Sequence, residues 1–213
     1  DVLQPVDHFI ARDDDFRTNH LADLDPAFLD DNLYPLSPTP DGGYRLDPQG
    51  GQPVLATLPF NKSVYVLYVN ETLMRQVGFD HPPATWDELA RLADAMTDRS
   101  NAASVRYGFA TRPNVEAFTP LLMAAGSNHM DERELEFRFA DEPGQAALTF
   151  LADLVLGDKA SGYVEPSYLS SPFGQGRIGM YIGSTASFPF NDSAVGTKFI
   201  WRAYPVPPRT AAT

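Results

Sequence analysis

The chain has 213 residues, 43% of them hydrophobic and 21% charged. That is enough for one large domain, or for one domain plus part of a second, and no apolar run approaches the length that spans a bilayer. A net charge of −12 sets up a field that repels nucleic acid and anionic lipid, so neither is expected as a partner. With no cysteine in the chain, disulfide frameworks, thiol nucleophiles and thiolate metal sites fall away together.

The sequence begins at Asp1 without an initiator Met or a basic-then-apolar leader, and is expected to be a central fragment of a longer protein. Residues 1 to about 50 are rich in Asp, Pro and Gly and poor in long periodic segments. Val6-Asp7-His8-Phe9-Ile10 fits one helical turn, and Asp25 with Pro26 fits the cap and first position of another. Asp13-Asp14-Asp15 is expected as solvated surface, because the alternating carboxylates, Gly turn and closing Glu of a calcium loop are missing. Pro35 to Pro53 has the composition of a hairpin or linker, with a short strand at Tyr44-Arg45-Leu46.

Val54 to Leu58 reads as a strand, and Val64 to Val69 as a second of the buried, β-branched and aromatic kind. Asn70 caps a short helix, Glu71 to Val77, closed by Gly78. Thr85-Trp86-Asp87-Glu88 is a capping box that opens a helix whose Trp86, Leu89, Leu92, Ala93 and Met96 share one apolar face. Tyr107 to Ala110 forms a strand, and a helix from about Val115 to Ala125 follows. Leu135, Phe137 and Phe139 alternate with Glu134, Glu136 and Arg138, the pattern of a half-buried strand. Asp141 and Pro143 open another helix, Ile178 to Ile182 is a strand that delivers the chain to Gly183-Ser184-Thr185-Ala186-Ser187, and Phe199 to Tyr204 is the last strand.

Strands alternating with helices imply an α/β lobe with a largely parallel or mixed sheet, which binds ligands in loops beyond its strand ends. That rule selects Asn61, Lys62 and Ser63 before one strand, Asn114 and Glu116 at a helix start, and Ser184, Thr185 and Ser187 after another strand. A capping role explains Ser184 and Thr185 equally well and is compatible with ligand contact. Glu116 also suits the positive end of its helix without any ligand. Phe60, Tyr65, Tyr168, Phe173 and Phe188 are loop-adjacent aromatics of the kind that stack on sugars, with core packing as their alternative role. His8, His20, His81 and His129 lack ligand spacing, so no metal is expected and no cofactor is assigned. Glu116 and Glu165 leave open a carbohydrate-active enzyme with paired carboxylates.

Leu58-Pro59-Phe60-Asn61, Leu67-Tyr68-Val69-Asn70, Pro83-Ala84-Thr85-Trp86-Asp87-Glu88-Leu89, Ala147 to Leu154 and Phe173-Gly174-Gln175-Gly176-Arg177-Ile178-Gly179-Met180 occur in an order and spacing that resembles the family 1 extracellular solute-binding proteins of ABC importers. The resemblance runs from Asp1 to about Pro208, and the sugar-binding and glycerol-3-phosphate-binding members look most similar. It implies a type II periplasmic-binding-protein-like α/β fold, mostly the second of two lobes, with a mixed sheet flanked by helices. The implied division is a partial lobe-one segment and linker at 1–57, a ligand-binding lobe at 58–208 and a tail at 209–213.

By the same likeness Lys62 and Ser63 fall on a crossover loop facing the cleft, Ser184 and Thr185 on a strand-end turn that donates to ligand, and Glu116 where an aromatic platform often stands. The implied function is capture, without catalysis, of a carbohydrate or polyol, with a phosphorylated solute as the variant, and its delivery to ABC permease subunits. The cations of these loops are Lys62 and Arg112, which does not support phosphate recognition by this lobe. The protein is expected to be monomeric and periplasmic or extracellular, free or lipid-anchored in its full-length form. A secreted carbohydrate-active enzyme and a protein-interaction module are the competing classes.

Overall fold

The computed structural model describes residues 5–131, 136–156 and 161–210. By packing the chain divides into two compact units, residues 1–62 with 131–136 and residues 63–130 with 137–213.

The first unit contains the helical turn α1 (Asp7–Ile10), a π-helical turn at Phe16–His20 running into a 3₁₀ turn at Leu21–Asp23, and helix α2 (Pro26–Asp30), followed by strands β1 (Leu33–Pro38), β2 (Tyr44–Leu46) and β3 (Gln52–Leu55). Asp25 caps α2 through its side chain, which accepts from the Ala27 amide at 2.9 Å, as expected of an Asp-Pro helix start. The strands form an antiparallel sheet in the order β2-β1-β3. Its central strand lies in a stretch whose prolines suggest a linker, and its register explains how they are tolerated. Pro35 faces Pro53 across β1 and β3, where neither needs to donate, and on its other side the Pro35 carbonyl accepts from the Asp47 amide at 2.7 Å. The Asp47 carbonyl, which an ordinary residue at position 35 would meet with its N–H, accepts instead from the Gly51 amide at 2.8 Å. A Cβ on Gly51 would lie 2.5 Å from the Pro35 carbonyl carbon, so this close approach requires glycine. β3 begins and ends earlier than the expected strand at Val54 to Leu58, because its pairing with Leu33–Leu36 sets its limits.

The second unit is a three-layer α/β structure. Its strands are β4 (Tyr65–Asn70), β5 (Tyr107–Thr111), β8 (Gly162–Val164), β9 (Ile178–Ser184) and β10 (Trp201–Tyr204), in the order β10-β4-β9-β5-β8. The short strands β6 (Met130–Asp131) and β7 (Glu136–Phe137) stand apart from this sheet. β5 runs parallel to β8 and β9, whereas β4 runs antiparallel to β9 and β10. Strand alternation divides the core into two. Leu67, Val69, Phe109 and Met180 meet the helices α4 (Trp86–Met96), α5 (Val115–Ala124) and α6 (Glu142–Leu156) on one face. Tyr68, Ala110 and Tyr181 point the other way, onto Leu169, Phe173 and Val195 around α7 (Ser170–Gly174) and α8 (Phe188–Val195).

The caps follow the sequence closely. Asn70 accepts from the Leu73 amide at 2.9 Å and starts α3 (Glu71–Gln76). Thr85 accepts from the Glu88 amide at 3.3 Å, and Glu88 reaches back to the Ala84 amide at 2.8 Å, one residue beyond the expected return to the cap. Trp86 is core, as its place on the apolar face requires, and its indole N–H donates to the Pro207 carbonyl at 3.1 Å.

The strand expected around Phe137 is present at Glu136–Phe137, but its expected buried face is not found in the described part. Glu134 and Leu135 lie outside the described residues. Phe137 is 72% and Phe139 47% exposed; the two rings pack on one another at 5.7 Å, and the chain turns away where the Asp141 amide bonds the Arg138 carbonyl. Alternation alone therefore named a face without a surface to cover it.

Candidate functional site

β5, β8 and β9 are parallel and β4 is antiparallel to them, so the carboxyl ends of three strands and the amino end of the fourth share one edge. Each connection at that edge is polar or aromatic. Arg112 to Asn114 follows β5, Glu165 to Ser170 follows β8, and Thr185 to Ser187 follows β9, while Tyr65 opens β4. They surround a cavity of about 400 Å³ whose lining includes Tyr65, Arg112, Glu116, Tyr168, Ser184 and Ser187. Ligands in open α/β sheets bind at such an edge because the backbone there leaves the ladder and side chains converge.

An ion pair dominates the electrostatics. Arg112 Nη1 donates to Glu116 Oε2 at 2.8 Å, and Asn114 Nδ2 donates to the same oxygen at 3.2 Å. The Arg112 guanidinium lies 5.2 Å from the Tyr168 ring centroid, a cation–π contact, and its Nε is buried without a hydrogen-bond partner among the described residues. Asn114 stands at the N-cap position of α5 but makes no side-chain capping bond; its amide serves Glu116 instead. Burial, and secondarily the Glu116 charge, raises the Tyr65 phenol above its ordinary value, so Tyr65 stays a neutral donor.

Beneath the cavity, Tyr68 stacks on Tyr181 at 4.8 Å and donates to the Ser184 carbonyl at 2.8 Å. Tyr181, a residue of the cavity lining, donates to Asn191 Oδ1 at 2.8 Å. Burial pushes the Tyr68 phenol up to about 12, and pushes Tyr181 up further still.

The expected site residues divide. Glu116 and Ser184 line the cavity. Ser184 also caps the turn after β9, accepting from the Ala186 amide at 3.1 Å, and its hydroxyl proton remains available to a ligand. Thr185 is occupied by the scaffold: its amide donates to the Val64 carbonyl at 2.9 Å and its hydroxyl accepts from the Val64 amide at 3.2 Å, which prolongs the β4–β9 pairing. Ser63 is exposed at the start of the second unit. Asn61 and Lys62 belong to the first unit, where Lys62 pairs with Asp31 at 3.1 Å. Glu165 accepts from Tyr163 and from the Ser167 amide, so each carboxylate of the glycosidase alternative has its own local partners. Among the described residues, no group of three or more His, Asp or Glu side chains is arranged to hold a metal ion.

Arg112 and Tyr168 carry more of the site than their positions in the sequence suggest. The Arg112–Glu116 pair spans the turn from a strand into a helix, so helical i,i+4 spacing does not announce it. Tyr168 is brought in by the neighbouring parallel strand, a long-range placement that local pattern does not encode.

A family model described as bacterial extracellular solute-binding protein matches residues 1–213. The sn-glycerol-3-phosphate-binding periplasmic protein UgpB of Salmonella typhimurium is 32% identical over 117 residues, 50% of this chain and 25% of that protein. Its counterpart in Yersinia pestis is 33% identical over 104 residues, 46% of this chain and 23% of that one. The match thus spans about a quarter of the curated relatives' length.

Among solved structures, UgpB from Mycobacterium tuberculosis in complex with glycerophosphocholine superposes with a TM-score of 0.73 at 18% identity, over 97% of this chain and 47% of that one. The sugar-binding protein MalE from Xanthomonas citri gives 0.71 at 18% identity, over 98% and 48%. These likenesses establish the fold, that of type II periplasmic binding proteins, over about half of each neighbour. The chain belongs to the bacterial extracellular solute-binding protein family.

Proposed function

We propose that this chain forms part of the solute-binding component of an ABC importer, and that its second unit supplies one wall of a site for a carbohydrate or related polyol, which the complete protein hands to its membrane permease. The observation that carries the reading is the composition of the cavity at the sheet edge. Tyr65 and Tyr168 offer ring faces, Ser184 and Ser187 offer hydroxyls, and Arg112 and Glu116 offer a donor and an acceptor. Flat apolar faces combined with a few fixed polar groups suit a ring or chain bearing many hydroxyls. The family's extracellular character, and the sugar and glycerol-phosphate solutes named for its relatives, agree with this.

A phosphoester solute is the second reading, favoured by the name of the curated relatives. Differential scanning fluorimetry of the full-length protein against saccharides, polyols and glycerol phosphoesters tests the proposal, with chromatography of each mixture for products. A specific ligand at a hundred times its Kd stabilises the protein by about 2.7 kcal/mol. The expected outcome is such a shift with the solute recovered intact. Release of product from any solute overturns the binding-protein reading.

A further inference from the structure

The chemistry of this cavity assigns a class to the solute, granted the binding role proposed above. A phosphoester is held most strongly where a cation is free to meet it, in a charge-assisted and often bidentate contact. Arg112, the cation among the described lining residues, is committed to Glu116 at 2.8 Å and is held over Tyr168. Glu116 is itself in the lining, 52% exposed at its side chain, so a phosphoester approaching Arg112 also meets a carboxylate at short range. Like charges at that distance repel strongly.

Hydroxyl groups meet no such obstacle. Glu116 Oε1 accepts no hydrogen bond from any described residue, whereas Oε2 takes both Arg112 and Asn114. A sugar hydroxyl can therefore donate to Oε1 while a neighbouring ligand oxygen accepts from the hydroxyl of Ser184. We infer that Glu116 is a specificity-determining residue: it neutralises Arg112 and so selects an uncharged polyhydroxylated solute over an anionic one at this wall of the site. A Glu116 that served only to stabilise the first turn of α5 would leave solute preference untouched.

The test compares affinities of the full-length protein for two kinds of probe. One is a panel of neutral saccharides and polyols, and the other is sn-glycerol 3-phosphate. Glu116→Gln keeps the side chain's size and one acceptor oxygen for Arg112 while removing the charge and turning the second oxygen into an amide donor. At a half-exposed position it is expected to leave the melting temperature within about 2 °C of wild type.

Wild type is expected to prefer a neutral probe. Glu116→Gln is expected to shift the affinity ratio at least tenfold toward the phosphoester, and adding Arg112→Gln is expected to reverse that shift. An unchanged ratio in Glu116→Gln overturns the inference, as does a wild-type preference for the phosphoester. A shift that survives Arg112→Gln overturns the part assigned to Arg112. If no probe binds wild type or either variant, the solute-binding reading falls and this inference falls with it, whereas binding with an unchanged ratio removes this inference alone.

Discussion

Removing one hydroxyl beneath the cavity, with Tyr68→Phe, gives a quantitative check on how the scaffold holds the site. Tyr68 is fully buried, stacks on Tyr181 and donates to the Ser184 carbonyl at 2.8 Å. Phenylalanine keeps the ring, its stacking and nearly all of its buried area, so the change isolates the hydrogen bond. The bond itself is worth about 0.5–1.5 kcal/mol net, and an acceptor left unpaired away from water adds about 1–3 kcal/mol. Ser184 is half-buried, so water recovers part of that penalty, and the expected loss is about 1–2 kcal/mol. Urea unfolding followed by tryptophan fluorescence reads it, because Trp201 packs 5.7 Å from Tyr68. Tyr68→Leu also removes the stack and most of a packed ring, and is expected to cost about 3 kcal/mol or more. A Tyr68→Phe variant within about 0.3 kcal/mol of wild type refutes the reasoning, since it means the hydroxyl anchors nothing.

Two further outcomes follow from the same core. A Cβ at Gly108 would lie 1.8 Å from the Ala93 carbonyl oxygen, and backbone cannot yield as a side-chain tip does, so Gly108→Ala is expected to cost about 4 kcal/mol or more in a urea melt; a loss below about 1 kcal/mol contradicts the close approach of α4 to β5. Alkaline titration reports on the buried phenols. Burial raises Tyr68 and Tyr204 from the ordinary 10.0 to about 12, with the neighbouring Glu71 carboxylate adding to the rise at Tyr204. Between those values the folded protein keeps protons that the unfolded chain releases, so stability present below pH 10 is lost as pH climbs toward 12. Denaturant midpoints at pH 8, 10 and 11.5 check the sign, and a flat profile contradicts it.

How far the sequence carried this structure depends on the range over which each feature is encoded. Caps and helix faces are local, so Asn70, Thr85 with Glu88, and the Trp86 to Met96 face are legible from a few residues. β4 is equally plain, being β-branched and aromatic on both faces of a central strand. β1 is not, because Pro35 is tolerated only through its register with Pro53 and the rerouted Asp47 carbonyl, neither of which is local. The strand-end rule selects Glu116 and Ser184, which line the cavity, and also Thr185, whose hydroxyl and amide close the β4–β9 ladder. No sequence pattern distinguishes those two fates of neighbouring hydroxyls. The pinning of Arg112 between Glu116 and Tyr168 joins loops from separate strands, and only the folded sheet brings them together.

The central claim is that the tyrosine- and hydroxyl-lined cavity at the sheet edge captures a solute without transforming it. Isothermal titration calorimetry of the full-length protein, wild type and Tyr168→Ala, with the best ligand from the saccharide and polyol panel tests it most directly. Tyr168 is an exposed residue of the lining, so its loss spares the fold and removes a stacking face worth about 0.5–1.5 kcal/mol, roughly two- to tenfold in affinity. The account predicts a single saturating site in wild type, intact solute afterwards and binding by Tyr168→Ala about two- to tenfold weaker. Equal affinity in the two proteins, or solute consumed during the titration, contradicts it.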